Sequence, residues 1–190
     1  MLSKKFVGVT LAVGMLAFTS GAAVAALSGS SAFFGGGLTA AKIGNMSYWE
    51  SSTVSANGYA TYASDARNDW QGISNADVDY SNASSESTAT IRSYAGNYGL
   101  DYAGRIVPYS GGREASTNST WDMVQIILND YYMDSYGYSN ANRHKTTIHE
   151  FGHSLGLVHQ DSATDSVMKQ GLYTYTNPTS LDVSNIQWKY

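Results

Sequence analysis

From residue 55 onward, Tyr59, Tyr62, Ala63, Ala66, Trp70 and Ile73 recur three and four residues apart, a spacing that predicts a helix over about 56 to 72 with Ser55 or Asn57 as its cap. Just before it, Ile43, Met46, Tyr48 and Trp49 in KIGNMSYWES predict a first strand. Three further strands are expected in ADVDYS near 76–81, TATIRSY near 88–94 and GRIVPYS near 104–110, each bounded by Gly, Asn or Ser clusters. Pro108 lacks the N–H a ladder needs and assigns the last of these to a sheet edge. WDMVQIILN, from Trp121, ends in a continuous apolar run, as in a strand covered on both faces. Two helices complete the pattern, one from about Asn142 to Gly156 and one in NPTSLDVSNIQWKY, capped by Thr179 or Ser180 with Val183, Ile186 and Tyr190 inward. There is no internal repeat.

The beginning of the chain follows another pattern. Lys4 and Lys5 precede an apolar run from Phe6 to Phe18 and small residues ending at Ala23-Val24-Ala25, the layout of a signal peptide over residues 1–25. The run is shorter than the roughly 20 residues a spanning helix needs, so cleavage and release outside the cell are expected, with no membrane anchor left. Residues 26–41, rich in Gly, Ser and Ala apart from Phe33 and Phe34, have the composition of a flexible leader or short propeptide. At 190 residues the whole chain is long enough for one domain, expected to be a monomer. Cysteine is absent, which excludes a disulfide scaffold and a lipid-anchored N-terminus. The net charge of −4 includes Lys4 and Lys5, whose removal leaves −6, and an acidic surface argues against nucleic acid as partner.

Chemistry concentrates in HEFGHSLGLVH, residues 149–159, which holds three of the four histidines. On a helix, His149 and His153 lie one turn apart on a single face and offer two nitrogen ligands to one metal ion. Glu150 stands beside them, able to reach a water without binding the metal. Gly156, three residues after His153, suits a left-handed helix end that swings His159 back to close the site. Three neutral imidazoles leave one position of a tetrahedral zinc ion open, the arrangement of a catalytic site. Such an ion acidifies its water, and Glu150 is placed to take the proton as the water attacks a peptide carbonyl and to pass it to the leaving amine. His144 falls outside the spacing and reads as a solvated residue near the helix start.

This motif resembles the extended zinc signature of the metzincin metalloproteases, and Ser166-Val167-Met168 looks like their Met-turn. Within that group the chain looks most like the matrixins, through the helix motif and the final LDVSNIQWKY. The resemblance implies an α+β catalytic domain over 42–190: a twisted mixed sheet with an edge strand over the cleft, an active-site helix in a half ending near 158, and a Met-turn half over 159–190 with the final helix. It implies that Met168 packs beneath the ligands and that Asp182 hydrogen-bonds backbone near the turn. Gln170 stands where astacins and serralysins carry an additional tyrosine ligand, so none is expected, and Tyr173 and Tyr175 come too late. A propeptide cysteine switch, usual in matrixins, is excluded because the chain has no cysteine. Latency is instead expected from the leader, with Phe33 and Phe34 lying in the cleft until trimmed.

The same resemblance implies extended polypeptide substrates added along GRIVPYS, in contact with Ile106 and Val107. Specificity is expected from a pocket beside the zinc walled by the loop after Met168, with Leu172, Tyr173 and Tyr175 as candidates. Matrixin-like domains commonly bind structural Ca2+, and Asp77, Asp79, Asp101 and Asp130 offer oxygen ligands, although no loop has a calcium pattern. The function expected is that of a secreted zinc endopeptidase. Two other readings are a catalytically silent zinc-bound domain that recognises extended peptides, which the presence of Glu150 disfavours, and a structural surface protein, which leaves the histidine spacing unexplained.

Overall fold

The computed structural model describes residues 25–190; the expected signal peptide lies outside the described residues, apart from Ala25. The sheet has six strands: β1 (Met46–Glu50), β2 (Tyr80–Asn82), β3 (Ile91–Gly96), β4 (Gly104–Ser110), β5 (Arg113–Glu114) and β6 (Met123–Asn129), in the order β2-β1-β3-β6-β4-β5. β2, β1, β3 and β6 are mutually parallel, whereas β4 runs antiparallel to β6 and to the two-residue β5. β6 sits inside the sheet with Val124, Ile126, Ile127 and Leu128 buried, as its continuous apolar run requires. Six helices accompany the sheet: α1 (Ala40–Ile43), α2 (Ser52–Ala56), α3 (Ala60–Gln71), α4 (Asp130–Ser135), α5 (Asn140–Ser154) and α6 (Ser180–Lys189). This is the α+β architecture, with a mixed sheet, an active-site helix and a final helix, expected from the sequence. Among the described residues, no helix is long and apolar enough to cross a membrane.

The helix expected over 56–72 is α3, which starts only at Ala60: Gly58 adopts φ 79°, a left-handed conformation that delays its start, and Tyr59 rather than Ser55 or Asn57 stands at its N-cap, without a side-chain cap bond. The short α2 before it was not expected and is capped by Ser51, which accepts from the Thr53 N–H. The periodic stripe survives in α3, where Ala63, Ala66 and Trp70 are fully buried. Trp70 Nε1 donates to the Ile148 carbonyl at 3.1 Å and so joins α3 to α5. α5 starts at a capping box of Ser139 and Asn142. It packs against α3, β4 and β6. In α6, capped at Thr179, Ile186 is buried while Val183 and Tyr190 pack partly buried against the same core.

Linker-like composition misdescribes the segment from Leu27 to Leu38, which is laid into the domain. Ala32, Phe33 and Leu38 are buried, the Phe34 N–H donates to the Gly156 carbonyl at 2.8 Å, and the Val158 N–H donates to Ala32 at 2.9 Å. Gly36 and Gly37 N–H groups donate to Thr117 and Ser119. Gly36 serves close approach: a Cβ there would lie 2.0 Å from the Ser119 carbonyl oxygen. At the start of the segment, Gln160 brackets the Leu27 backbone, its Oε1 accepting from the N–H and its Nε2 donating to the carbonyl.

The β4 edge positions the site. β6 pairs with β4 from Gly104 to Tyr109, while β5 reaches only Tyr109 and Ser110 on the other side. The backbone of Gly104 to Val107 therefore has no strand on its outer side among the described residues, and the Pro108 carbonyl there accepts from the Ala115 N–H. Proline is tolerated because it lies on such an edge.

Candidate metal centre

His149 and His153 lie on the inner face of α5, both buried, with ring centroids 4.5 Å apart. Each Nδ1 faces a carbonyl oxygen, that of Val167 at 2.9 Å for His149 and that of Leu157 at 2.7 Å for His153. A carbonyl only accepts, so both Nδ1 atoms carry the proton and both Nε2 lone pairs are free for a metal. Gly156 ends the turn at φ 90°, with its N–H donating to the His153 carbonyl at 2.9 Å. The reversal brings His159 back, its Nε2 3.0 Å from that of His153 and its ring 5.1 Å from that of His149. One ligand nitrogen from each of the three lies within 4.8 Å of the others. Nitrogens bound at about 2.0–2.1 Å to a tetrahedral ion stand about 3.3 Å from one another, so the cluster has the dimensions a zinc ion requires. Among the described residues, this is the one group of three potential ligands that lies together; Asp77, Asp79, Asp101 and Asp130 form no such group. Asp130 is instead bonded to Arg143 and Tyr59.

Burial sets the protonation of the cluster. It holds His149 well below the usual imidazole range, with His153 and Lys145 adding to the effect, and brings His153 down to about 3. His159, on the solvent side, is lowered by the same cause. All three are neutral at physiological pH, as metal ligation demands.

Glu150 is buried, and desolvation pushes its carboxyl up to about 8, opposed by the nearby Lys145 charge. Its Oε2 is buried with no hydrogen-bond partner, an expensive condition for a polar atom that no second group relieves. Gly104 of β4 makes room for it: a Cβ there would lie 2.6 Å from Oε1. The carboxyl is thus held between the helix and the free strand edge.

Below the histidines, Met168 is buried against α5, where a Cβ on Gly152 would meet its Sδ at 2.6 Å. Asp182, also buried, accepts from Ser166 Oγ, from the Val167 N–H at 2.8 Å and from the Thr179 N–H at 2.9 Å. Because Val167 also receives the His149 proton, the carboxylate of α6 orients the first ligand through one intervening residue.

A cavity of about 590 Å³ opens in front of this cluster, and His149, Glu150, His153 and His159 all line it. Ile106 reaches its wall together with Gly104 and Arg105, but Val107 does not. Tyr173 and Tyr175 also stay off it. Their rings cover the Lys169 ammonium, at 4.4 and 5.3 Å, and Gln170 and Gly171 form the wall in their place. Phe34 lines the cavity, its ring 5.7 Å from that of His153, while Phe33 lies apart against Trp188 and Tyr190. His144 faces away from the site, stacked on Tyr62 at 5.0 Å with Asp65 at 3.5 Å. Sequence reasoning missed Lys145, which lines the cavity and whose ammonium burial brings down to about 8. Its place four residues before His149, on the same helical face, was the signal that could have found it.

A mixed sheet with a free edge, a helix presenting two imidazoles and a carboxylate, and a third imidazole beyond a glycine turn define a single-metal hydrolase architecture. The family model of the matrixins matches residues 50–190, and the chain belongs to that family of metallopeptidases. No curated protein matches it.

Proposed function

We propose that the protein is an exported zinc endopeptidase in which His149, His153 and His159 hold the metal and Glu150 is the general base. Matrixin membership supports the class of activity, and the three converging nitrogens beside an unpartnered buried carboxyl support the assignment of residues. The bound ion supplies Lewis acidity for the scissile carbonyl and an acidified water. An extended substrate lies along the outer side of Gly104 to Val107, exchanging backbone hydrogen bonds with the free edge. Glu150, facing that edge, takes the proton of the attacking water and delivers it to the departing amine. Burial beside the free edge makes the carboxylate more basic than an exposed one, which favours taking a proton from water, and the positive charge of a bound ion would keep it ionised. The N-terminal pattern of Lys4, Lys5 and the apolar run supports export.

The test is cleavage of an unfolded protein by the purified chain, with and without a chelator, and by Glu150→Gln. We expect cleavage in the zinc-loaded wild type, loss on chelation with recovery on adding zinc, and a loss of about a thousandfold in Glu150→Gln at unchanged zinc content. A chain that holds zinc yet cleaves no unfolded protein contradicts the proposal and favours the silent peptide-binding reading.

A further inference from the structure

Lys145 is 3% exposed, yet among the described residues it makes no ion pair. Its Nζ donates to the Lys169 carbonyl. The Nδ1 of His149 stands 3.4 Å away, but that nitrogen already gives its proton to Val167 and offers no lone pair. One acceptor therefore serves three ammonium donors, in a place where an unpaired charge is costly. The side chain lines the cavity in front of the histidines, together with Thr146 of the same helix and Gln170 of the facing loop. A second cation stands behind it: Lys145 and Lys169 approach the Tyr173 ring at 5.9 and 4.4 Å. Arg105 adds a third on the β4 side, while the acidic members of the lining are Asp101 and Glu150.

We infer that Lys145 is a specificity-determining residue that selects substrates carrying a carboxylate side chain, Glu or Asp, next to the scissile bond. The inference rests on the endopeptidase reading and names its preferred substrate class. A carboxylate entering the pocket between α5 and the 169–171 loop supplies the acceptors the ammonium lacks and meets the positive side of the cavity. An apolar side chain in the same place leaves the charge buried and unpaired, and is rejected for that reason rather than by shape.

The test uses the zinc-loaded chain on a peptide library, with products sequenced by mass spectrometry, then on matched peptides that differ only by Glu or Leu at the selected position. Wild type should enrich Glu or Asp beside the cut. Lys145→Met should lose about a hundredfold in kcat/KM on the Glu peptide and no more than severalfold on the Leu peptide, and Lys145→Arg should keep the acidic preference. A wild-type profile without that enrichment overturns the inference, whatever the stability of the variants. Equal losses on both peptides overturn it too, since they mark a residue that only supports His149. Calorimetric titration of Glu150→Gln with the two peptides separates this inference from the one on which it rests. If the wild type cleaves nothing, the protease reading fails, and equal binding of the two peptides overturns the Lys145 assignment independently.

Discussion

From Lys145 to Ser154 every residue of α5 is buried, whereas from Gln170 to Asn177 none is. The two stretches face each other across the same cavity and meet opposite demands. Ligands must converge on one point within tenths of an ångström, and the imidazoles of His149 and His153 are each fixed by a carbonyl behind them and by the packing of Met168 and Trp70 against Gly152. The loop has only to complete a pocket wall. Its tyrosines sit on the Lys169 ammonium, outside the cavity. The histidine cluster is thus over-determined, while the loop is free to vary.

Perturbing each region should expose that contrast. The largest effect is expected for Asp182→Ala, which leaves Ser166, Val167 and Thr179 donors without their buried acceptor; we expect a loss of about 3 kcal/mol in chemical denaturation and weaker zinc retention. Gly152→Ala forces a methyl group into Met168 and Trp70 and should cost about 1–3 kcal/mol by the same measurement, with a matching fall in zinc affinity. A subtler probe is the pH dependence of the metal-free protein. The Glu150 carboxyl is near 8 when folded and 4.5 in its ordinary state, so between these values the unfolded chain binds fewer protons and wild type loses stability as pH rises. Glu150→Gln removes this slope, and its stability relative to wild type should climb from pH 4.5 to 8 in parallel denaturation series. The smallest effect is expected for Tyr173→Ala, under about 0.5 kcal/mol in stability, with zinc content unchanged.

Most of the histidine cluster was legible in the letters, because a helix fixes the relation of His149, Glu150 and His153, and Gly156 announces the reversal that returns His159. Pro108 revealed the edge strand for an equally local reason, its missing donor. What stayed hidden depended on tertiary neighbours. Gly35 and Gly36 look like linker composition and are required because Asn118 and Ser119 pass close by. Gly58 moved the start of α3 past the residues offered as its cap, Ser55 and Asn57. Tyr173 and Tyr175 looked like pocket residues from their position after Met168, but their rings are drawn to Lys169, and which way a loop side chain turns is not encoded in its spacing. Lys145 was legible by spacing alone, yet its meaning needed the burial and the missing ion pair.

The central claim is that three imidazole nitrogens grip one zinc ion. X-ray absorption at the zinc edge on the purified protein tests it most directly. One zinc per chain, with three nitrogen ligands at about 2.0–2.1 Å and a light fourth ligand, is the expected result, and the histidine signal should drop by one ligand in His159→Ala. A protein that retains no zinc after purification in its presence, or binds it through oxygen ligands with the spectrum unchanged in His159→Ala, would contradict the account.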